Sequence, residues 1–258
     1  MKIYQPEGRA REYSPLALNY FKGCDHGCKY CYVPKLFKRF NASYVHDYVS
    51  CNINYRELEK SIQSLSEDDK EKQILLSFTG DPYCNAEKGE TREVLKILLR
   101  HQLHVAILTK NPEKAQRDID LFREFKRFKI GTTLVFSEEE DRKEWEPGTI
   151  DSNRRIESLK YFFDNNIKTW VSFEPVIIPE QTIRLLINVK DYVDHVKVGK
   201  LNNFPEIEKN INWSKFLYDI VYILRKENMK FYIKNDLIKY NKGLYFSGNE
   251  LDKDFLNV

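Results

Sequence analysis

Short apolar runs alternate with charged segments of helical period along most of the chain. Leu16–Lys22, Gln73–Thr79, His104–Thr109, Lys129–Phe136, Lys168–Glu174 and His195–Gly199 read as strands, and a seventh, Lys230–Lys234, follows the last long helical segment. Thr91–His101, Glu113–Arg127, Ser152–Asn165 and Trp213–Asn228 read as helices. In the first of these, Val94, Leu95, Ile97, Leu98 and Leu99 gather on one face, as a helix packed on a sheet requires. Thr91 is the expected N-cap there. Asn111–Pro112 and Asp151–Ser152 open the next two helices. Repeated βα units with apolar, β-branched strands imply parallel pairing and right-handed crossovers. Six such units are too few to close an eight-stranded barrel. The expected fold is therefore α/β, a partial (β/α)6 TIM-like barrel of parallel strands with a lateral gap through which a large substrate can approach. No internal repeat, low-complexity stretch or Gly/Ser linker divides the chain. One domain over residues 1–258 is expected, with a core at roughly 15–234 and a C-terminal extension at 235–258.

Composition narrows the class without choosing a substrate. The 258 residues carry 42 basic and 39 acidic side chains, so the formal charge is 42 − 39 = +3, too balanced to point to nucleic acid. With 41% hydrophobic and 14% aromatic residues a sizeable core is available, which excludes a disordered chain. The longest apolar runs fall far short of the ~18 residues of a membrane helix, and the first residues lack the apolar stretch of a secretory signal. No membrane partner is expected. Five cysteines, three of them within eight residues, suit a metal site in a reducing cytoplasm rather than a disulfide framework.

The three cysteines follow the first long strand in Gly23-Cys24-Asp25-His26-Gly27-Cys28-Lys29-Tyr30-Cys31-Tyr32, a Cys-x3-Cys-x2-Cys spacing. Glycines flank the sulfurs where the chain must fold tightly round an object. Three thiolates on so short a loop match three corners of a 4Fe-4S cluster and leave one iron open to a reactant. The alternative is a structural zinc site with Cys51 or His26 as the fourth ligand, but no second Cys-x2-Cys knuckle is present.

This motif resembles the signature of the radical S-adenosylmethionine (SAM) superfamily. Within it, Thr79-Gly80-Asp81-Pro82-Tyr83, Glu87, Thr91-Arg92, Ile107-Leu108-Thr109-Lys110, Arg117–Leu121, Glu146-Pro147-Gly148…Arg155-Ile156-Glu157 and Pro175…Ile178-Pro179 resemble the spore photoproduct lyase-like, or DNA repair photolyase-like, branch. The match runs in order over roughly residues 15 to 200. It implies an enzyme that binds one 4Fe-4S cluster through Cys24, Cys28 and Cys31 and cleaves SAM reductively to a 5′-deoxyadenosyl radical, which takes a hydrogen atom from its substrate. A flavodoxin- or ferredoxin-like reductant is the implied partner. The substrate is nucleic-acid related by this resemblance, with a peptide or small molecule as the alternative.

The resemblance also assigns roles. Tyr30 stands beside the adenine, and Lys110 pairs with the SAM carboxylate. Thr79, Gly80 and Asp81 offer a hydroxyl, a bare backbone and a carboxylate to the SAM ammonium, although Gly-Asp-Pro is also a common turn. Thr132 or Thr133 is the candidate for the ribose hydroxyls, and Gly199 for close approach to the adenine. Glu174, at a strand's C-terminal end, faces the adenosyl group or the substrate. Lys200 and Asn202 are candidate substrate contacts. Cys84 is placed to return a hydrogen atom and Tyr32 to relay a radical. Phe78 stands where true spore photoproduct lyases carry their donor cysteine, and no basic hairpin for a duplex is evident. The run Glu138–Glu144 reads as a solvated turn of helix. The basic stretch Arg117–Lys129 reads as an exposed amphipathic helix that could also touch phosphate.

Overall fold

A computed structural model describes residues 1–39, 49–51 and 53–258. Its strands are β1 (Ile3–Tyr4), β2 (Leu16–Leu18), β3 (Phe21–Lys22), β4 (Ser50–Cys51), β5 (Gln73–Leu76), β6 (His104–Thr109), β7 (Phe128–Thr133), β8 (Lys168–Val176), β9 (His195–Lys200) and β10 (Lys230–Ile233). Eight of them form one sheet in the order β1-β2-β5-β6-β7-β8-β9-β10. All neighbours from β2 to β10 are parallel, and β1 lies antiparallel on the edge. Six crossovers thus join seven parallel strands, the partial barrel expected from the alternating pattern.

Alternation along each strand builds two compartments. One set of side chains faces the helices in two large clusters, around Leu76, Val105 and Ile107 on one half and Val171, Val196 and Ile233 on the other. The other set lines the barrel interior, where Trp170 packs with Leu75 and Ala106 and against Tyr13, Phe78 and Leu108. Gly131 makes room for Trp170, since a Cβ there would lie 2.5 Å from the indole nitrogen. The indole N–H donates to the Ile107 carbonyl at 3.0 Å.

Several expected boundaries shift for local reasons. The stretch Leu16–Lys22 divides, because its second part leaves the main sheet to pair with β4. The strand begun at Gln73 ends at Leu76, where Ser77 takes φ 73° and turns the chain out of the sheet. Glu113–Arg127 is not one helix. It breaks into Pro112–Ala115, a 3-10 turn Gln116–Asp118, and Ile119–Glu124. The turn sends buried Asp118 inward to accept from Tyr83 Oη (2.9 Å) and Arg92 Nη1 (2.8 Å). Asn111 and Asp151 cap their helices as expected. Thr91 does not: helix Glu90–Arg100 starts from Gly89, and Glu87 Oε1 accepts from the Gly89 and Thr91 amides at 2.7 and 3.3 Å. The acidic run is a helix, Glu139–Trp145, that is more than a solvated turn. It buries Arg142, whose guanidinium donates to the Glu146 and Thr149 carbonyls.

The segment before β2 packs against β10 and the barrel interior, and the C-terminal tail runs past the strand starts, where the Lys129 ammonium donates to the Leu256 carbonyl at 2.5 Å. Tyr232 Oη and the Asn235 amide donate to Glu12 Oε1 at 2.9 and 2.8 Å. Ser14 Oγ donates to the Gln73 carbonyl at 2.8 Å. Arg11 pairs with Asp254 at 2.6 Å, and the Val258 amide reaches Gln73 Oε1 at 3.2 Å. Both flanking segments carry only a single helical turn each, Gly8–Arg11 and Gly248–Leu251, too short for a periodicity to announce them. Among the described residues, no helix is long and apolar enough to cross a membrane.

Candidate functional site

The cysteine loop leaves β3 at Gly23 (φ 89°) and turns again at Gly27 (φ 62°), conformations that side chains rarely adopt. The Cys31 amide donates to the Cys28 carbonyl at 3.0 Å, closing a turn between two of the thiols. Surrounding loops clamp this segment from two sides. The Lys29 amide donates to the Trp145 carbonyl, and the Gly148 amide to the His26 carbonyl, each at 2.9 Å. Asp25 accepts from the Asn85 and Ala86 amides at 3.0 and 2.7 Å. A Cβ on Gly148 would sit 2.3 Å from the Asp25 carbonyl, and one on Gly80 would sit 2.7 Å from that of Gly23. Glycine at both positions is thus required by the close approach of the loop.

The three thiols lie within electrostatic reach of one another, Cys28 being neighbour to both Cys24 and Cys31, and no disulfide joins any of the five cysteines. Burial raises the Cys24 thiol, whose sulfur accepts from the His26 amide, well above its ordinary range. Burial likewise pushes Cys28 up to about 12, against the pull of Lys110. A metal that displaces these protons removes that cost of charging.

Whether these residues fit an iron–sulfur cluster can be tested on their spacing. Around one zinc ion, with bonds of ~2.3 Å, ligand sulfurs approach to about 3.8 Å. Among the described residues, the metal-ligating group that closes to within 4.8 Å is Cys24 with Asp25 and His26, not the three cysteines together. Asp25 is engaged by two backbone amides, and His26 directs Nδ1 at Asp81, 3.5 Å from Oδ2, while its Nε2 is buried without a hydrogen-bond partner. Three separated thiols suit separate iron corners of a cluster rather than a single ion. The residues fit the cluster.

Around the loop, the ends of β5, β6 and β7 form one side of the barrel mouth. Asp81, 8% exposed, accepts three hydrogen bonds within the protein. Its Oδ1 accepts from Thr109 Oγ1 (2.6 Å) and the Tyr83 amide (2.8 Å), and its Oδ2 from the Lys110 amide (2.7 Å). It therefore ties the β5 turn to the end of β6. Thr79 Oγ1 donates to the Phe21 carbonyl at 2.8 Å. The Lys110 ammonium lies 5.5 Å from the Tyr30 ring centre. Burial opposes its charge, yet the facing Cys28 and Glu146 hold its pKa above the ordinary value. Thr132 Oγ1 donates to the Thr109 carbonyl at 2.7 Å, which occupies its proton, whereas Thr133 lies on the interior-facing register of β7.

Beneath Tyr30 and Lys110 lies a buried pair that carried no assigned role in the sequence. Glu146 and Arg155 are both 0% exposed and meet at 2.6 Å. Tyr30 Oη donates to the other Glu146 oxygen. Arg155 also donates to the Thr133 and Ile150 carbonyls at 2.9 and 3.0 Å. Burial disfavours the Glu146 charge, but Arg155 and then Lys110 outweigh it and hold the carboxyl below its ordinary range.

On the opposite side of the mouth, Glu174 accepts from Lys234 Nζ at 2.6 Å and from Tyr13 Oη, which also meets Ser172 Oγ at 2.8 Å. Gly199 faces this group, and a Cβ there would lie 2.7 Å from the Glu174 carboxyl carbon and 2.9 Å from the Lys234 side chain. Tyr32, 48% exposed, reaches across from the cysteine loop and donates to the Phe78 carbonyl at 2.6 Å. Cys84 is 0% exposed and near Cys24, packed under the loop. Lys200 turns to the outer face, pairing with Glu208 and lying 5.3 Å from the Trp213 ring centre, so it is apart from the mouth. Asn202 Oδ1 accepts from Arg9 Nη2 at 3.2 Å and from Lys200. Tyr13 was missed because it sits in irregular chain before β2, and Lys234, although it closes the strand read at Lys230–Lys234, was missed because only its tertiary pairing with Glu174 reveals it. The signal for Glu146 and Arg155 was present as a motif but not as a pair.

Asp81→Ala is expected to keep the cluster and to weaken SAM binding by loosening the Lys110 backbone, at a stability cost of about 1.5–3 kcal/mol for each charged hydrogen bond lost. Binding titrations on reconstituted protein check this. Unchanged affinity would remove Asp81 from the site.

The profile of the Radical SAM superfamily matches residues 18–193. An uncharacterized protein of Methanocaldococcus jannaschii is 30% identical over 162 residues, 62% of this chain and 60% of the relative. ORF301 of Acidianus two-tailed virus, also uncharacterized, is 27% identical over 172 residues, 64% of this chain and 57% of the relative. The chain thus spans somewhat under two thirds of these relatives. Among solved structures, Streptococcus suis SuiB bound to its precursor peptide SuiA superposes with a TM-score of 0.67 at 13% identity, covering 90% of this chain and 52% of SuiB. A spore photoproduct lyase variant with bound AdoMet and dinucleoside spore photoproduct superposes at 0.56 and 13%, covering 74% and 58%.

Proposed function

Because the chain belongs to the radical SAM superfamily, we propose that it is an enzyme that holds one 4Fe-4S cluster on Cys24, Cys28 and Cys31 and binds SAM over the adjoining strand ends. The observation that carries this reading is the clamped loop of three separated thiols at the C-terminal end of a parallel barrel, with a partly buried cation, Lys110, facing Cys28. When bound, the cluster and SAM supply reductive cleavage to a 5′-deoxyadenosyl radical that abstracts hydrogen from a substrate. The protein contributes position and exclusion of water.

Lys110 offers a fixed positive charge for the SAM carboxylate, kept on station by Asp81 through its backbone amide. Tyr30, fastened to Glu146, supplies a rigid ring edge beside the adenine, and Thr133 remains the candidate for the ribose. Thr79 and Gly80 act as part of the wall, since their polar and bare surfaces already contact the β3 end. Asp81 is a positioning residue rather than a direct ligand of the ammonium. Glu174, with Tyr13 and Lys234, forms the polar substrate side of the mouth, and Gly199 makes room for the Glu174 and Lys234 side chains there. Tyr32 spans the two halves and is placed to pass a hydrogen atom. Cys84 is too deeply packed to reach a substrate without loop movement.

A nucleic-acid-related substrate, processed in a lyase- or repair-like reaction, is supported by the ordered series of branch motifs from Thr79 to Pro179. A flavodoxin- or ferredoxin-like protein in a reducing cytoplasm would deliver the electron. The test of the reading is metal and sulfide analysis of anaerobically reconstituted protein. About four irons and four sulfides per chain are expected, and one tightly held zinc per chain would overturn it.

A further inference from the structure

We propose that the end of the barrel remote from the cysteine loop carries a second binding site, a basic cleft that takes a phosphate group of a nucleotide or of a nucleic-acid strand. The cleft has a volume of about 520 Å³, within the range of small-ligand sites. It opens where β7 and β8 begin, at Phe128 and Lys168, whereas the cysteine site lies where the strands end.

Four cations from two separate chain segments converge on it: Arg123 from the last turn of helix Ile119–Glu124 with Lys126 and Arg127 from the loop that follows, and Lys168 at the start of β8. Asn257 and Val258 of the C-terminal tail complete the lining. All four cationic side chains are exposed. Among the described residues, one carboxylate side chain stands in ion-pair range of the four, Glu71, at 3.9 Å from Arg127. Arg123 instead donates to the amide oxygen of Asn165. For a chain of formal charge +3, this is a strong local excess of positive charge. The wall behind it is a stack of rings, Phe122 on Phe128 at 4.3 Å and Phe125 on Phe128 at 5.5 Å, which fixes the segment that carries three of the cations.

The interior just behind the cleft feels the same field. Lys129 is held well below its ordinary pKa, first by burial and then by Lys197 and Lys168. His195, 3.4 Å from the Lys129 ammonium, is lowered by burial and then by Lys129 and its fellow lysines, Lys168 among them. An anion over the rim relieves this repulsion, and concave rims of one sign concentrate such ligands.

The test uses the whole chain, a labelled single-stranded oligonucleotide read by fluorescence anisotropy, and inorganic phosphate as competitor. Removing the rim with Lys126→Ala, Arg127→Ala and Lys168→Ala together should weaken binding at least tenfold. It should also flatten the slope of log K against log salt by about 2, from ~0.7 per phosphate contact on a single strand. Removing Lys215, Lys226 and Lys239 by alanine, the same charge on another face, should change affinity less than twofold. Lys168→Glu alone, one exposed side chain, gives an independent reading should the triple variant fold poorly. Displacement of the oligonucleotide by millimolar phosphate identifies a site for a free phosphate or nucleotide. Binding that resists phosphate identifies a strand-tracking cleft, and both support the proposal. Equal binding by wild type and the rim variants, or no binding of either probe, overturns it.

Discussion

Replacing Cys24, Cys28 or Cys31 by alanine abolishes the visible absorbance of the reconstituted protein and all SAM cleavage, whereas Cys84→Ala and Cys51→Ala retain the cluster. The difference follows from position. The first three are held on one loop that turns at two left-handed glycines, Gly23 before Cys24 and Gly27 before Cys28, and is clamped through Asp25, His26 and Lys29 to the segments after β5 and β7. Cys84 is sealed beneath that loop, and Cys51 lies on the exposed strand β4. A cluster with three protein ligands has no spare thiolate, so losing one removes a full iron attachment rather than weakening a redundant one. Iron content and absorbance near the sulfide-to-iron charge-transfer region read the outcome. Full cluster retention in any of the three variants would overturn the ligand assignment.

Arg155→Ala carries the largest expected stability loss. It leaves the Glu146 carboxylate buried with its principal counter-charge gone, and unpairs the Thr133 and Ile150 carbonyls as well. Breaking a fully buried pair from one side costs about 3–5 kcal/mol, which for a domain of this size lowers Tm by roughly 6–20 °C. The damage should also reach the site. Tyr30 loses a fixed acceptor, and the Glu146–Thr149 turn that clamps the cysteine loop through Gly148 loosens. Cluster reconstitution is therefore expected to become incomplete even below the new melting point. Arg155→Met combined with Glu146→Leu removes both charges and should recover much of the stability without recovering SAM binding. A Tm within 2 °C of wild type for Arg155→Ala would show that the pair does not hold the turn.

The same geometry explains what the chain discloses in one dimension. Strands β6 and β9 were read within a residue, because apolar, β-branched runs between charged helices have few other uses. The cysteine loop was legible because three sulfurs at fixed spacing have a short list of chemistries. Less was legible where a residue's role depends on partners far along the chain. Asp81 reads as a ligand-facing carboxylate in sequence, and what the sequence does not disclose is that Tyr83, Thr109 and Lys110 donate to it from three different points of the chain. Thr132 and Thr133 are equivalent in sequence, yet strand register sends one hydroxyl to a neighbouring carbonyl and the other residue to the interior. The packing of the N-terminal segment and the tail was invisible for a related reason. Glu12, Tyr13 and the tail near Asp254 have no periodic pattern, and their contacts span 161 to 243 residues of chain.

The measurement that bears most directly on this account is chromatographic detection of 5′-deoxyadenosine after anaerobic, cluster-loaded protein is reduced with dithionite in the presence of SAM. The account predicts that 5′-deoxyadenosine and methionine form with the wild type and not with Cys28→Ala. Protein that holds about four irons per chain, binds SAM and still yields no 5′-deoxyadenosine, with or without oligonucleotide or peptide present, would contradict it.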